Sequence, residues 1–519
     1  MTRRLCVGVL AMCLVACGSR SGVSAWNQED SEPLDVNECV TALECEVVDP
    51  CAPPQCIEEQ GVFRCRAAPL ACDDLNPCTT DRCEPETGTC SHRAPADGDG
   101  DGFVAEADAL AGCGGNDCDD EHPAIYPGAE EICDGLDNDC DGGIDEGTVL
   151  AAETAPVPLA PDSPFPTSHG GMVFTGDTFA VAYTEHGSSR VSYFARLTPG
   201  GAVPPAITPI SQINADTFAG AVTRSDRGLF TAWADARMDG QYEIYATRFS
   251  LGGEKVQTDL RLSDAERHSL HPAAITLGDE HIVLWDDQRF EDTGGTSVKL
   301  FGRRLSHGGA LLGDEVMLAD THENAENPAM AAGDGRVGLV FTDLVGGLAH
   351  GYFSLLDPSL NELTAPVDLG VENVQDPTIA FVGDTFVVAF YTYTSGPGPA
   401  LWGATFDRFG NLLQGAAPIT AGDSYVRGHS LLSLGDRVFV TWSGADASGR
   451  YDIYAATYNK SLKQIGDRQL LLETPGWSIG TLAVQGAFGQ VGVVYDEMRL
   501  DGSQNAYFLT LECRQQSLR

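Results

Sequence analysis

The chain has 519 residues, 43% of them hydrophobic, and a formal net charge of −44 from 31 basic and 75 acidic side chains. That length is too great for one small core and predicts roughly two to four domains. The charge excludes a nucleic-acid partner, which needs a basic footprint, and suits an exported protein that is highly soluble or binds cations.

Arg3 and Arg4 precede an apolar run at 5–16. It is too short to cross a bilayer, which takes about 20 residues, so residues 1–16 read as a signal peptide. The run ends in Leu14-Val15-Ala16-Cys17, which resembles a bacterial lipobox. The resemblance implies cleavage before Cys17, lipidation of its sulfur, and attachment to the membrane through the N-terminal lipid. Gly18 follows rather than Asp, so the inner-membrane retention signal known in some bacteria is missing. The expected location is the bacterial cell envelope, as an outer-membrane lipoprotein, with exposure at the cell surface as one option and the side of the membrane left open. Several acyl chains anchor stably where one is marginal. Residues 17–36 are polar and aperiodic and read as a lipidated tether.

Residues 37–92 carry a small cysteine repeat. Cys45, Cys51 and Cys56, followed by Cys65, have the same spacing as Cys72, Cys78 and Cys83, followed by Cys90. In an exported chain such clusters predict disulfides rather than metal thiolates. Two four-cysteine modules are expected, each too small for a core and each stapled by two bridges. This leaves Cys39 and Cys513 over, with a bond between them as one option.

Residues 97–147 hold 17 Asp and Glu and no Lys or Arg. Two stretches, DGDGDGF (97–103) and DNDCDGG (137–143), share the pattern Asp-x-Asp-x-Asp-Gly. Alternate residues place Asp97, Asp99 and Asp101 on one side of a loop. Gly102 permits the sharp turn, and the Phe103 carbonyl can then face inward, as calcium loops require. Asp108 stands at the twelfth position of the first loop. The second loop offers Asp137, Asp139 and Asp141, with Asp145 at the ninth position. An acidic disordered linker is the competing reading. The stretch from Cys118 to Gly147, CDDEHPAIYPGAEEICDGLDNDCDGGIDEG, resembles the metal-binding motif of MopE-type proteins, common in surface and secreted proteins of myxobacteria and their relatives. That family name implies copper. The donors present are hard oxygens, with His122 as the segment's one imidazole. Copper prefers imidazole and sulfur, so calcium is the expected ion.

From about 150 to 519 short alternating runs of Val, Phe, Trp, Gly and Thr recur. The anchors Tyr183, Trp233, Trp285, Phe341, Phe390, Trp442 and Tyr495 are 49–56 residues apart, and each unit reads as four strands. Turns at Gly278-Asp279, Gly333-Asp334, Gly383-Asp384 and Gly435-Asp436 are expected to join the first two strands. Repeats of this kind resemble a β-propeller. The fold expectation is therefore all-β: a seven-bladed propeller preceded by disulfide-rich modules and an acidic calcium-loop segment. Tandem sandwiches or a solenoid are the alternatives. The last unit lacks its fourth strand, and PVPLAP (156–161) has the character to supply it.

In each blade the loop before strand one and the loop after strand two share an edge. His169, His271, Asn327 and Asp376 each lie 14 residues ahead of their anchor, and His429 lies 13 ahead. Asp235 with Arg237, Asp287 with Arg289, Asp343, and Asp496 with Arg499 follow strand two. Together they make a candidate polar ring for a protein or glycan ligand. A repeated Asp-x-Arg also serves as a structural turn, and the repetition favours that role. The functional expectation is a binding or scaffolding lipoprotein. The alternative is a sialidase-like glycoside hydrolase acting on surface glycans; no Asp-box series appears.

Overall fold

The computed structural model describes Cys45 and residues 51–515, with gaps at 68–71, 106–114, 201–206, 212–215, 291–296, 319–323, 393–400, 421–424 and 446–448 and at a few shorter points. The signal peptide, Cys17, the tether, Cys39 and Asp108 lie outside the described residues. Every regular element among them is a strand. The chain forms two compact units, one of residues 1–97 with 104–115, the other of 98–103 with 116–519.

The first unit contains two hairpins, Pro54–Glu59 with Val62–Ala67 and Thr80–Glu84 with Thr89–Arg93. So few residues cannot bury a core, and disulfides substitute for one. Cys45 bonds Cys65 and Cys72 bonds Cys90, one bridge inside each predicted module. Cys51 bonds Cys83. That bridge crosses between the modules, so they are not two independent two-bridge units as expected.

The second unit is a seven-bladed propeller, and cross-strand aromatic pairs organise it. The seven anchors are each at most 1% exposed. Directly opposite them on the third strands stand Tyr193, Tyr245, Phe301, Tyr352, Trp402, Tyr454 and Tyr507. In blades one to four, six and seven the paired rings stack with centroids 5.5–6.4 Å apart. Such pairs contribute about 0.5–1.5 kcal/mol each beyond their area burial. Second strands such as Thr385–Thr392 are buried along their whole length, because each blade packs against a neighbour on both faces.

Blade three shows the pattern: Ser269–Leu277, Glu280–Asp287, Lys299–Ser306 and Val316–Leu318, in that order across the sheet. Leu277 pairs with Glu280 across the expected Gly278-Asp279 turn. In blade four Gly333 pairs with Arg336, so the turn is Asp334-Gly335, one residue later than expected. Both turn residues have positive φ, 49° and 70°, the requirement of a type I′ hairpin.

Inner strands Thr167–Phe174, Val222–Ser225, Ser269–Leu277, Glu326–Gly333, Val374–Val382, Val426–Leu434 and Trp477–Gln485 neighbour one another in turn, and the last neighbours the first. The ring is closed. Val157–Pro158 pairs with Phe508 and Tyr507 in the last blade, as expected for 156–161. A further strand, Thr148–Ala152, extends the closure by pairing with residues 511–515.

Cys513 is not left over and does not bond Cys39. It bonds Cys133, 380 residues away, while Cys118 bonds Cys140. On chain-entropy grounds the longer loop stabilises more: about 3 kcal/mol for 15 residues and 4.7 for 100. Replacing Cys133 and Cys513 together by Ala should therefore lower the denaturation midpoint more than replacing Cys118 and Cys140. Equal losses in urea unfolding of the two double variants would contradict the closure role.

Candidate functional site

Within the second unit, repeated Asx turns wind the acidic segment. Asp99 Oδ1 accepts the Asp101 amide at 3.2 Å, Asp101 Oδ1 the Phe103 amide at 2.8 Å, and Asp117 Oδ1 the Asp119 amide at 2.9 Å. The Phe103 ring stacks on Tyr126, centroids 5.3 Å apart. Asp101 Oδ2 and Asp117 Oδ2 are buried and accept no hydrogen bond. A buried carboxylate oxygen without a donor is costly unless a cation meets it. The donor set therefore fits a hard metal ion. Asp97 is the last residue of the first unit's opening stretch.

In the second loop Glu131, Asp137 and Asp139 bring carboxylate oxygens within 4.8 Å of one another. Glu131 was not foreseen. It lies outside the loop pattern and is folded back onto it, with its Oε1 accepting the Asp139 amide at 2.9 Å. Asp141 stays in the loop, its Oδ1 taken by the Gly143 amide. Asp145 turns away from the group. Its Oδ1 accepts the Gly135 amide, its Oδ2 lies 3.7 Å from Arg437 of blade six, and burial pushes its carboxyl up to about 6. A cavity of about 410 Å³ lies beside this pair, between the segment and blade six. In the first unit, Asp74, Asp81 and His92 also cluster, with His92 Nδ1 2.7 Å from Asp81.

The mouth of the propeller channel holds a cavity of about 530 Å³. His169, His271, Asn327 and Asp376 line it, as the spacing predicted, with Phe218, Leu270 and Pro272, Pro328 and Pro377 among the apolar walls. His271, Asn327 and Asp376 have left-handed backbones, φ 47°, 54° and 43°. Each opens a β-bulge in the inner strand of its blade. Such a bulge suits glycine, and blades six and seven place Gly428 and Gly480 there. Left-handed backbone costs most side-chain-bearing residues roughly 1–2 kcal/mol, and less for Asn, Asp and His, which adopt it more readily. Three successive blades accept that cost, and all three side chains face one cavity, which is the pattern expected of a functional site.

The buried Asp286 carboxylate holds two of the three. Its Oδ2 is 2.7 Å from His271 Nδ1 and accepts the Asn327 amide at 3.1 Å, joining blades three and four. Asp376 Oδ2 accepts the Tyr391 hydroxyl at 2.9 Å. His169 Nδ1 lies 2.9 Å from Asp496 Oδ1. Burial opposes charge on His169 and His271, but the adjacent aspartates outweigh it and raise both above the usual imidazole range.

The other candidates are elsewhere. His429 is buried, its Nε2 2.9 Å from Thr378 Oγ1, and burial lowers its pKa. Asp235 and Asp287 each bind an arginine two residues on and the anchor indole N–H, at 3.1 and 3.2 Å. Arg237 and Arg289 lie over Tyr245 and Phe301. These four residues are spent inside their blades and do not line the cavity, which is the structural role that the repetition favoured. Asp343 likewise accepts the Asn324 amide, and Arg499 bonds the Tyr507 hydroxyl.

A family model described as "Putative metal-binding motif", of the MopE type, matches residues 117–146. A second, a Dictyostelium (slime mold) repeat, matches residues 71–93. No curated protein matches the chain. Among solved structures, the chain is similar to a protein of unknown function from Dyadobacter fermentans (15% identity, TM-score 0.44, 59% of this chain and 97% of that one). It is also similar to a neuraminidase-like protein of A/flat-faced bat/Peru (13%, 0.42, 72% and 94%) and to Trypanosoma rangeli sialidase (8%, 0.39, 59% and 56%). At these identities and TM-scores they carry no information about the ligand.

The bulge geometry gives a direct test. Asn327→Gly relaxes the left-handed position and should fall within about 1 kcal/mol of the native stability, while Asn327→Ala should cost more than that. Denaturant unfolding of the two variants measures the difference, and equal stability would remove the strain argument.

Proposed function

We propose that this protein is a bacterial outer-membrane lipoprotein that binds a protein or glycan ligand at the mouth of its propeller, with calcium ordering the acidic segment. The observation that carries the binding role is the arc of His271, Asn327 and Asp376 on one cavity. Among the described residues lining that cavity Asp376 is the one carboxylate. A sialidase-like site uses a tyrosine nucleophile and an arginine cluster beside its carboxylate; the described residues lining this cavity include no Arg and no Tyr, so the lining supports binding over a sialidase-like hydrolysis. Screening the full chain against glycans and envelope proteins, with Asp376→Asn as the control, tests the reading. Capture unaffected by the substitution would sink it, and glycan turnover would favour the hydrolase.

Calcium is favoured over copper by the ligand chemistry. Cys118, Cys133 and Cys140 are disulfide-bonded and offer no thiolate. His122 is exposed and pairs with Asp119 at 2.9 Å. What remains is carboxylate and carbonyl oxygen, the set that calcium takes. Extracellular calcium modules have dissociation constants on the order of 10⁻⁴–10⁻³ M. At a hundredfold excess over that constant the ion should stabilise the fold by about 2.7 kcal/mol. Thermal unfolding of the whole protein in calcium, in copper and in chelator measures this. Glu131→Gln and Asp139→Asn should each reduce the calcium shift; a shift from copper alone would contradict the assignment.

The membrane attachment rests on Cys17. Cys17→Ser should move the protein from the membrane fraction to the soluble fraction. Retention on membranes after a high-salt wash would rule out the lipid anchor.

A further inference from the structure

We infer that His307, Asp226 and Asp279 form a second metal site, of the zinc class, at the seam between blades two and three. It is independent of the acidic segment and of the channel mouth. His307 follows the third strand of blade three, and its amide donates to the Asp279 carbonyl at 3.1 Å. Its side chain is only 7% exposed, yet neither ring nitrogen has a hydrogen-bond partner. Leaving buried imidazole nitrogens unmade costs about 1–3 kcal/mol. The Nδ1 atom lies 3.7 Å from Oδ1 of Asp226 and 3.7 Å from Oδ1 of Asp279.

The two aspartates come from different blades. Asp226 is in the turn between Val222–Ser225 and Gly228–Met238, and Asp279 is in the turn after Ser269–Leu277. Their side chains are 81% and 96% exposed, so they can change rotamer without disturbing the fold. Two ligands on one tetrahedral zinc, with bonds of about 2.0–2.2 Å, sit roughly 3.3 Å apart. Closing each aspartate onto the imidazole from 3.7 Å needs a few tenths of an ångström, and the two carboxylates, which stand more than 4.8 Å from one another, need a larger rotamer swing to share the ion. The imidazole is held in place from behind. His281 lies 5.2 Å from it, ring to ring, and is itself fixed by stacking on Phe230 and by Thr276 Oγ1 at 2.9 Å. Arg248, on the adjoining strand, directs its guanidinium to the carbonyls of Gly308 and Arg227. One imidazole nitrogen and two carboxylates, with remaining positions open to water, suit zinc or a similar divalent transition ion.

The test is zinc titration of the full chain by calorimetry, in excess calcium to occupy the acidic segment and in a His92→Asn background to silence the first unit's cluster. Cobalt substitution gives a second, spectroscopic readout. The background protein should bind one zinc at this site. Asp226→Asn combined with Asp279→Asn, both on exposed side chains, should weaken it at least tenfold and abolish the cobalt band, as should His307→Gln. Unaltered zinc affinity in the double Asp variant overturns the site, as does the absence of zinc binding in the background protein. In the latter case His307 forms only an ion pair with the two aspartates when protonated.

Discussion

Closure of the ring is the constraint on which the other features depend. The last blade is completed by residues from the start of the domain, through two separate strands and one covalent bond. An open array of blades would leave a long, flat strand edge, a template for aggregation. Closure removes it, and it also defines the channel mouth, whose lining comes from blades one to five. Without closure, His169 would lose Asp496, which belongs to blade seven.

The same closure governs the acidic segment. Residues 116–147 lead directly into the first closing strand and belong to the same compact unit as the propeller. Gly135 lies against the Leu434-Gly435 turn so closely that a Cβ there would meet the Leu434 carbonyl at 2.1 Å. The Glu131 carbonyl accepts Gln515 Nε2 at 3.2 Å, while its carboxylate receives the Asp139 and Asp145 amides. One residue thus connects the acidic cluster to the final strand. A metal held there orders the segment beside the joint that shuts the ring.

Polar groups in the interior follow a consistent rule. Asp235 and Asp287, the buried aspartates two residues after a tryptophan anchor, are each met by an indole N–H, a serine hydroxyl and an arginine. A buried charge with such partners is tolerated, and losing one partner is costly. The residues free to meet a ligand are those at the inner-strand bulges. There the backbone departs from the ladder and turns a side chain toward the axis.

Much of this was legible in the sequence because it is local. The anchors, their spacing and the alternation within strands name seven four-stranded units, since one strand's pattern requires only its own residues. The positions 14 residues ahead of each anchor found His169, His271, Asn327 and Asp376 for the same reason. The acidic loops were visible as a pattern, but Glu131 was not, because it reaches the cluster only when the chain folds back. The Asp334-Gly335 turn could not be separated from Gly333-Asp334 without the register. Tertiary structure alone decided the Cys133–Cys513 and Cys51–Cys83 bridges, the turning of Asp145 toward Arg437, and the meeting of His307 with Asp226 and Asp279. Each joins residues far apart in the chain, and such contacts are fixed by which blade packs beside which rather than by anything in the flanking sequence.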